Sequence, residues 1–336
     1  MATENLTNTK KVPVPHIAVL GGDVRLRITA GELAKEGFAV YRFAANDPAG
    51  TSASKDVVQT NDLKALADIC DVFLFPLPTT RDDVYLHAPL FEEKITLDSI
   101  FSAISKSGHD VLLLGGKLSA ATRKRAADFG LELIDYYCRE ELQIANAIPT
   151  TEGAIALAMQ HFPYTLHHSR CTVLGYGRIG KILSHTLHAL GANVCVVARK
   201  ESDFAWIDAD GCTPVALGNW EQALTNCQLL FNTVPSMLIT EEQMRLLPHD
   251  AILIDLASER GIDAQSAQRH GNQVFWALSL PGKVAPATAG CIIKDNVMHI
   301  LQIAYPPHHT TNSNEITHEN GIDHAKETKN ERNDRI

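Results

Sequence analysis

The chain has 336 residues, 45% of them hydrophobic and 21% charged, which is an ordinary composition for a globular protein of about two domains. Its formal net charge of -9 argues against nucleic-acid binding, because contact with the phosphate backbone depends on a basic surface. No apolar run is long enough to span a bilayer, and the polar opening MATENLTNTKK lacks the apolar core of a signal peptide, so we expect a cytoplasmic protein without membrane contact.

The first part of the chain alternates short apolar runs with segments of helical periodicity. The strand-like runs lie at residues 16–20, 39–43, 72–75, 111–114 and 132–135, and a helical pattern covers residues 25–36. This alternation predicts a parallel sheet with helices on both faces. We therefore expect residues 14–148 to form a doubly wound, flavodoxin-like α/β domain.

A second α/β series follows a helix that we expect to begin at Pro149, with Thr150 or Thr151 as its cap and Glu152 at its positive end. Strand-like runs then lie at residues 172–174, 193–198, 214–217, 228–232, 251–256 and 274–277. The pattern predicts that residues 149–304 comprise this linking helix, a Rossmann dinucleotide-binding domain and a C-terminal helix that packs back on one of the domains. Residues 305–336 are polar and predict a disordered tail.

A glycine motif, GYGRIG, comes directly after a strand-like run and directly before a helical pattern. In a G-x-G-x-x-G turn, the first glycine allows the tight turn, the second lets a pyrophosphate approach the backbone, and the third lets the helix pack on the sheet. The alternative is a glycine turn without a ligand. We expect cofactor binding by the whole loop: Gly175, Tyr176, Gly177, Arg178, Ile179 and Gly180.

Two adjacent cations, Arg199 and Lys200, follow the second strand of this unit. An acid at this point accepts hydrogen bonds from the ribose 2′-hydroxyl of NAD, whereas an arginine accommodates the 2′-phosphate of NADP. The pair therefore predicts NADP as the cofactor. A solvated strand end is the alternative.

Two further strand ends are expected to border the nicotinamide half of the cofactor. NTVPSM follows one strand and DLAS ends the next, and ligands of open parallel sheets bind outside the carboxyl ends of the strands. The predicted contacts are Thr233, Val234, Pro235, Leu256, Ala257 and Ser258. Ser236, Thr240 or Ser258 acting only as helix caps is the alternative.

Three charged residues are candidates for the reaction site. Arg25 follows the turn GGD at the start of a helix, where a cation is unfavourable unless an anion is close. Arg139 and Glu152 flank the passage between the predicted domains, and clefts between domains commonly bind small ligands. The alternatives are a surface arginine, ordinary caps and surface ion pairs.

Several catalytic signatures are missing, among them H-E-x-x-H, G-x-S-x-G, the Walker loop and the EF-hand. The seven cysteines are scattered and form no C-x-x-C pair, so we expect reduced thiols and no metal site. Hydride transfer requires less of the protein, because the cofactor carries the reaction.

The sequence resembles the dipicolinate synthase A-subunit family of spore-forming bacteria. The resemblance lies in AVLGGDVR, CREELQIANAIPTTEGAIALAMQHF, VLGYGRIGKI, FNTVPSMLIT, ILIDLAS and LSLPGKVAPATAG, which together run from about residue 16 to residue 304. The glycine loop is common to many dehydrogenases, whereas NTVPSM, DLAS and LPGKVAPATAG in this order are far more specific.

The resemblance implies oxidation of a dihydrodipicolinate, formed from a hydroxytetrahydrodipicolinate, to dipicolinate with NADP, in the mother cell of a sporulating bacterium. It further implies that the partner is a flavoprotein-like B subunit. A dicarboxylate substrate would be bound by the first domain, with Arg25 and Arg139 as the candidate cations. We also expect a homo-oligomer.

One loop departs from the family pattern. After DLAS the family continues with a proline and paired glycines, whereas this chain has Glu259, Arg260, Gly261 and Ile262.

Two other functions remain open. One is a 2-hydroxyacid dehydrogenase, although the absence of a histidine in APATAG argues against it. The other is a cofactor-binding scaffold whose catalytic groups lie on a partner.

Overall fold

The computed structural model describes residues 14–46 and 56–306, which contain two six-stranded parallel sheets. Almost all of the predicted tail at residues 305–336 lies outside these ranges. None of the helices within them is long and apolar enough to cross a membrane. In the same ranges, no group of three or more His, Cys, Asp or Glu side chains is arranged to hold a metal ion.

The first sheet has the order β3-β2-β1-β4-β5-β6. Its strands are β1 (His16–Leu20), β2 (Ala39–Phe43), β3 (Val57–Gln59), β4 (Val72–Leu74), β5 (Leu112–Gly115) and β6 (Leu133–Asp135). Apart from the short edge strand β3, the order is that of a flavodoxin-like sheet, which confirms the predicted fold class. The helices of this domain are α1 (Val24–Lys35), α2 (Leu63–Ile69), α3 (Leu97–Ser105) and α4 (Ala120–Asp128).

Burial on both faces explains why the central strands of this sheet are continuous apolar runs. All three residues of β4 have no exposed surface. One face packs against α1, and the other packs against Leu66 of α2 and Phe101 of α3. A parallel sheet covered by helices on both sides requires this composition.

The second sheet has the order β12-β11-β10-β7-β8-β9, which is the doubly wound Rossmann arrangement that the sequence predicts. Its strands are β7 (Arg170–Leu174), β8 (Asn193–Ala198), β9 (Thr213–Ala216), β10 (Leu229–Asn232), β11 (Ile252–Asp255) and β12 (Gln273–Trp276). The accompanying helices are α6 (Arg178–Ala189), α7 (Glu201–Ala209), α8 (Glu241–Met244) and α9 (Ala264–His270).

The linking helix α5 (Glu140–His161) corrects one prediction. We expected a helix beginning at Pro149 with a threonine cap, but Pro149 lies buried inside a helix that begins at Glu140 and so crosses residue 148. Thr150 does not cap, because its hydroxyl donates to the Asn146 carbonyl oxygen at 2.8 Å. One side of this helix is buried, with Leu142 in the core of the first domain and Ala154 and Ala158 in that of the second. This burial offsets the loss of the hydrogen bond that the proline removes.

Two final helices return the chain to the first domain. They are α10 (Leu280–Val284) and α11 (Pro286–Ala304). Ile293, Val297 and Ile300 of α11 share a core with Leu26 and Leu33 of α1, which confirms that the C-terminal helix packs back. The chain therefore passes between the domains twice, and the junction is built from α5, α10 and α11.

Candidate nucleotide and substrate site

The turn between β7 and α6 requires glycine at two positions. Gly175 has a φ of +95°, and a Cβ there would lie 2.6 Å from the Thr233 hydroxyl oxygen. A Cβ on Gly180 would collide with the Gly175 carbonyl oxygen. The first glycine therefore permits the turn, and the third permits the close approach of the helix to the strand.

Gly177 is glycine for a different reason. A Cβ there would meet no atom within 4 Å, so no neighbouring group of the described chain demands its absence. Gly177 is also the N-cap residue of α6, and no side chain of a described residue caps the free N–H groups of that helix. Open space in front of uncapped N–H groups suits the pyrophosphate of a dinucleotide.

A cavity of about 430 Å³ lies in front of this turn. Eight of the predicted cofactor residues line it: Gly175, Tyr176, Gly177, Arg199, Lys200, Thr233, Val234 and Pro235. Ser236 of the same NTVPSM run also lines it, together with residues that the sequence patterns did not indicate, among them Asp203, Leu217, Trp220 and Leu238. The cavity thus joins the glycine loop, the end of β8 and the loop after β10, as a dinucleotide requires.

The two cations at the end of β8 are exposed and line this cavity. Neither Arg199 nor Lys200 forms an ion pair with any residue in the described ranges, although Asp203, in the first turn of α7, lines the same cavity. Two cations that pair with no acid in the described part of the chain fit, at this point, a phosphate on the adenosine ribose.

Other side chains of the glycine loop have protein partners. Arg178 holds Glu140, at the start of α5, with its Nε 2.8 Å from the carboxylate Oε1. The Tyr176 hydroxyl donates to Asp210 at 3.2 Å, and burial together with this bond raises the pKa of Tyr176 to about 12. Ile179 packs against the core. Arg178 and Ile179 lie outside the cavity lining, so the loop meets the cavity mainly through its glycines and backbone.

A buried polar pair connects the loops after β10 and β11. Asn232 donates to the Asp255 carboxylate at 2.9 Å and to the Val234 carbonyl at 3.0 Å, and both side chains are almost completely buried. The Asp255 carboxylate also accepts from the backbone N–H of Gly261 at 2.7 Å. Thr233 is fixed separately, since its hydroxyl donates to the Leu174 carbonyl at 2.8 Å. These bonds hold the loop that borders the cavity.

The three residues predicted from DLAS lie apart from this cavity. Leu256 and Ala257 are buried, with Leu256 in the core of the second domain, and Ser258 is exposed. None of the three lines the cavity. The Ala257 carbonyl instead accepts a hydrogen bond from the Trp276 indole at 3.1 Å.

Arg25 lies at the domain junction, and its guanidinium already has a carboxylate partner. The Nη2 group is 2.8 Å from Asp23 and donates to the Leu77 carbonyl at 2.6 Å, and the residue is only 8% exposed. Asp23 also caps α1, so the anion that the sequence required comes from the same turn. The Nη1 group donates to no described residue, and a Cβ on Gly282 of α10 would lie 3.1 Å from Arg25 Nε.

Arg139 and Glu152 lie on the linking segment. Arg139 is the N-cap residue of α5, and its guanidinium pairs with Glu141. Glu152 is exposed in the middle of α5 and forms no ion pair with a described residue. The structure brings neither of them to the nucleotide cavity, so their roles stay predictions.

Comparison with known proteins assigns both domains to described families. The family model for the N-terminal domain of the dipicolinate synthase A subunit matches residues 16–137, and the model for the NAD-binding domain of D-isomer specific 2-hydroxyacid dehydrogenases matches residues 143–267. The curated dipicolinate synthase A subunit of Bacillus subtilis is 30% identical over 85% of this chain and 95% of that protein. The chain belongs to the dipicolinate synthase A-subunit family.

Solved structures from this family have the same fold. The dipicolinate synthase A subunits of Bacillus halodurans and Bacillus subtilis each give a TM-score of 0.78, at 27% and 28% identity. They cover 85% and 87% of this chain, and 97% of each solved chain is matched. A D-2-hydroxyisocaproate dehydrogenase, at 13% identity and a TM-score of 0.54, shares the fold alone. With its dehydrogenase-type domain, this member of the family is an oxidoreductase that uses a nicotinamide cofactor.

Asn232 and Asp255 were not among the site residues predicted from the sequence. Each is a polar residue at the last position of an otherwise apolar strand, and this was the available signal. Their partnership depends on β10 and β11 being neighbours in register, with Asn232 opposite Asp255. The strand order could not be obtained from the apolar pattern of either strand alone.

Proposed function

We propose that the chain oxidises dihydrodipicolinate, formed from 4-hydroxy-tetrahydrodipicolinate, to dipicolinate with NADP. The observation that carries this proposal is its relationship to a dipicolinate synthase A subunit over 95% of that protein. The choice of NADP is supported by the two cations at the end of β8, which have no acidic partner among the described residues and line the nucleotide cavity.

In this proposal each part of the cavity binds one part of the cofactor. The uncapped N-terminus of α6 and the space at Gly177 receive the pyrophosphate, and Arg199 and Lys200 receive the 2′-phosphate. Thr233, Val234 and Pro235 border the nicotinamide ribose, where the Asn232–Asp255 pair holds their loop. When bound, the nicotinamide supplies a hydride acceptor.

The substrate makes separate demands on the protein. Loss of a hydride and a proton from a dihydropyridine yields an aromatic ring, so the reaction is favourable once the ring is positioned beside the acceptor. Two carboxylates must be bound, and Arg25 and Arg139 are the candidates from the first domain. The Nη1 group of Arg25, which has no partner in the described ranges, is the group that we assign to a substrate oxygen. Glu152 remains a candidate for proton transfer.

The proposal includes the family's cellular setting. A flavoprotein-like B subunit is the expected partner, and the expected location is the cytoplasm of the mother cell during sporulation. We also propose that the chain forms a homo-oligomer. The name of the Bacillus subtilis relative, which designates one of the subunits of a synthase, supports the existence of a second one.

One reconstitution tests the proposal. The purified chain, with and without the B subunit, is mixed with enzymatically generated hydroxytetrahydrodipicolinate and either NADP or NAD. We expect dipicolinate and NADPH to appear together and in equal amounts. Reduced nucleotide without dipicolinate, or neither product when both proteins are present, would overturn the proposal.

A 2-hydroxyacid dehydrogenase is the second candidate, because residues 143–267 match the NAD-binding domain of that family. The APATAG segment, which begins α11, contains no histidine to exchange a proton with a hydroxyl group. A panel of simple 2-hydroxy acids decides between the two functions. Turnover of any of them, without dipicolinate formation, favours this alternative.

A further inference from the structure

We propose that Arg260 binds one carboxylate of the substrate from the side of the dinucleotide-binding domain. The assignment rests on the proposed function, because it presupposes a dicarboxylate between the two domains. A rigid dicarboxylate needs a cation near each end.

The two arginines expected in the first domain are already engaged. Arg25 forms several bonds to Asp23 and has one guanidinium nitrogen left, and Arg139 pairs with Glu141. A second substrate carboxylate would have to compete with Glu141 for Arg139. A cation without an acidic partner is the better ligand, since no ion pair has to be broken first.

Arg260 is such a cation. It is exposed in the loop that follows β11 and forms no ion pair with any acid in the parts of the chain that the structure describes. Its guanidinium lies over the Trp276 ring, 4.6 Å from the ring centroid. Stacking on an aromatic face leaves the edge of the guanidinium, with its forked N–H groups, free for a carboxylate.

The Trp276 ring beneath Arg260 and the loop that carries Arg260 are both held by hydrogen bonds. The Trp276 indole donates to the Ala257 carbonyl at 3.1 Å. Gly261, the next residue after Arg260, donates to Asp255 at 2.7 Å, and its carbonyl accepts from the N–H groups of Leu238 and Ile239 at 2.9 Å. Because the backbone and the stacking partner are already held, binding a ligand orders little more of the side chain.

The loop that carries Arg260 begins at the same edge of the sheet as the loop that borders the nucleotide cavity. The loop after β11 is bonded to the loop after β10, which borders the nucleotide cavity, and both begin at the carboxyl edge of the sheet. From Trp276 the chain reaches Gly282, which packs against Arg25, in six residues and therefore within about 20 Å. We therefore assign Arg260 to the side of the cleft that belongs to the dinucleotide-binding domain, opposite Arg25 of the first domain.

The test compares Arg260→Gln with Arg260→Lys and with a matched control, Arg245→Gln. Arg245 is an exposed arginine of the same domain, 3.6 Å from Glu241, and lies outside the cavity lining. The readouts are calorimetric binding of dipicolinate, the KM for substrate in the reconstituted reaction, and the Kd for NADP. Circular dichroism melting verifies that each variant is folded.

We expect Arg260→Gln to weaken dipicolinate binding and to raise the substrate KM by about 10- to 100-fold, while the NADP Kd stays within about twofold of wild type. Arg260→Lys should give an intermediate loss, because an ammonium keeps the charge without the fork. Arg245→Gln should resemble wild type.

Two outcomes contradict the proposals and can be told apart. If wild type binds and produces dipicolinate but Arg260→Gln behaves like Arg245→Gln, the Arg260 assignment alone is overturned. If wild type neither binds nor produces dipicolinate, the proposed function fails, and the assignment fails with it.

Discussion

Cations of this protein fall into two groups according to whether a carboxylate already pairs with them. Arg139 and Arg178 each hold a glutamate, although the sequence suggested both as ligand-binding residues. Arg199 and Lys200 have no such partner in the described ranges and line the cavity. A cation without a partner is the one that a ligand phosphate can engage without first breaking an ion pair.

Arg199→Asp tests the 2′-phosphate contact. We expect the variant to lose about tenfold or more in affinity for NADP and much less for NAD, because the introduced carboxylate repels the phosphate and can accept from a 2′-hydroxyl. Nucleotide titration followed by fluorescence or calorimetry measures both constants, with Arg245→Asp as the matched control. Equal losses for the two nucleotides would show that Arg199 does not meet the phosphate.

Gly177→Val tests the role of the open space in front of α6. Since a Cβ at Gly177 meets no described atom within 4 Å, the variant should fold with a wild-type melting temperature, and it should bind no nucleotide because its side chain fills the pyrophosphate position. Gly180→Val is the contrasting variant, since its side chain would collide with the Gly175 carbonyl and lower the melting temperature. Retained nucleotide binding by Gly177→Val would contradict the predicted site.

The groups that shape the nucleotide cavity lie at the ends of strands and helices. The carboxyl ends of β10 and β11 carry Asn232 and Asp255, and the amino end of α6 carries the open turn. A buried carboxylate with no cation partner among the described residues is tolerated because Asn232, Gly261 and Ala257 all donate to it. This pair therefore fixes two loops at once.

An exchange of the two side chains tests this coupling. Asn232→Asp places two carboxylates face to face. Asp255→Asn leaves one acceptor oxygen where two are used, so that either the Asn232 amide or the Gly261 N–H faces an NH2 group. Each single variant should therefore lose about 1–3 kcal/mol of stability and weaken NADP binding. The double variant again sets a donor opposite an acceptor and should recover part of both losses. Thermal unfolding and nucleotide titration measure the cycle. Additive losses in the double variant would mean that the two residues act independently.

The two domains are held together by helices that belong to neither sheet alone. Glu140, at the start of the linking helix α5, forms an ion pair with Arg178 of the glycine loop. Helix α11 packs on α1, where the Thr29 hydroxyl donates to the Gly290 carbonyl at 2.9 Å. A Cβ on Gly153 of α5 would lie 3.1 Å from Leu280 of α10. Contacts this close favour a defined cleft between the domains over freely hinged halves.

Truncation after Pro306 tests whether the polar tail contributes to activity or stability. The segment beyond it is polar and nearly free of large apolar side chains, so its removal should leave activity and melting temperature unchanged. Truncation after Asp295 is the control, because it removes Val297, Ile300 and Leu301 from the core shared with α1 and should destabilise the protein strongly. A large loss of activity in the shorter deletion would assign a function to the tail.

Local pattern was sufficient for much of this protein. Alternating apolar runs predict two parallel sheets, GYGRIG predicts the turn into α6, and the polar residues after β8 predict where a second phosphate would bind. These features depend on neighbours within a few residues, so they can be seen in the sequence alone. The start of α5 could not be predicted in this way, because burial keeps Pro149 inside a helix that local rules end.

The chain's own sequence thus determined the two sheets and the glycine turn that faces the cavity. Tertiary structure decided which charges have partners: Glu140 reaches Arg178 over 38 positions, and Asn232 meets Asp255 only because their strands lie side by side. It also placed Arg260 on Trp276. The physical reason is that hydrogen bonds and ion pairs act over a few ångströms in space, and separation along the chain does not reveal which groups folding brings that close.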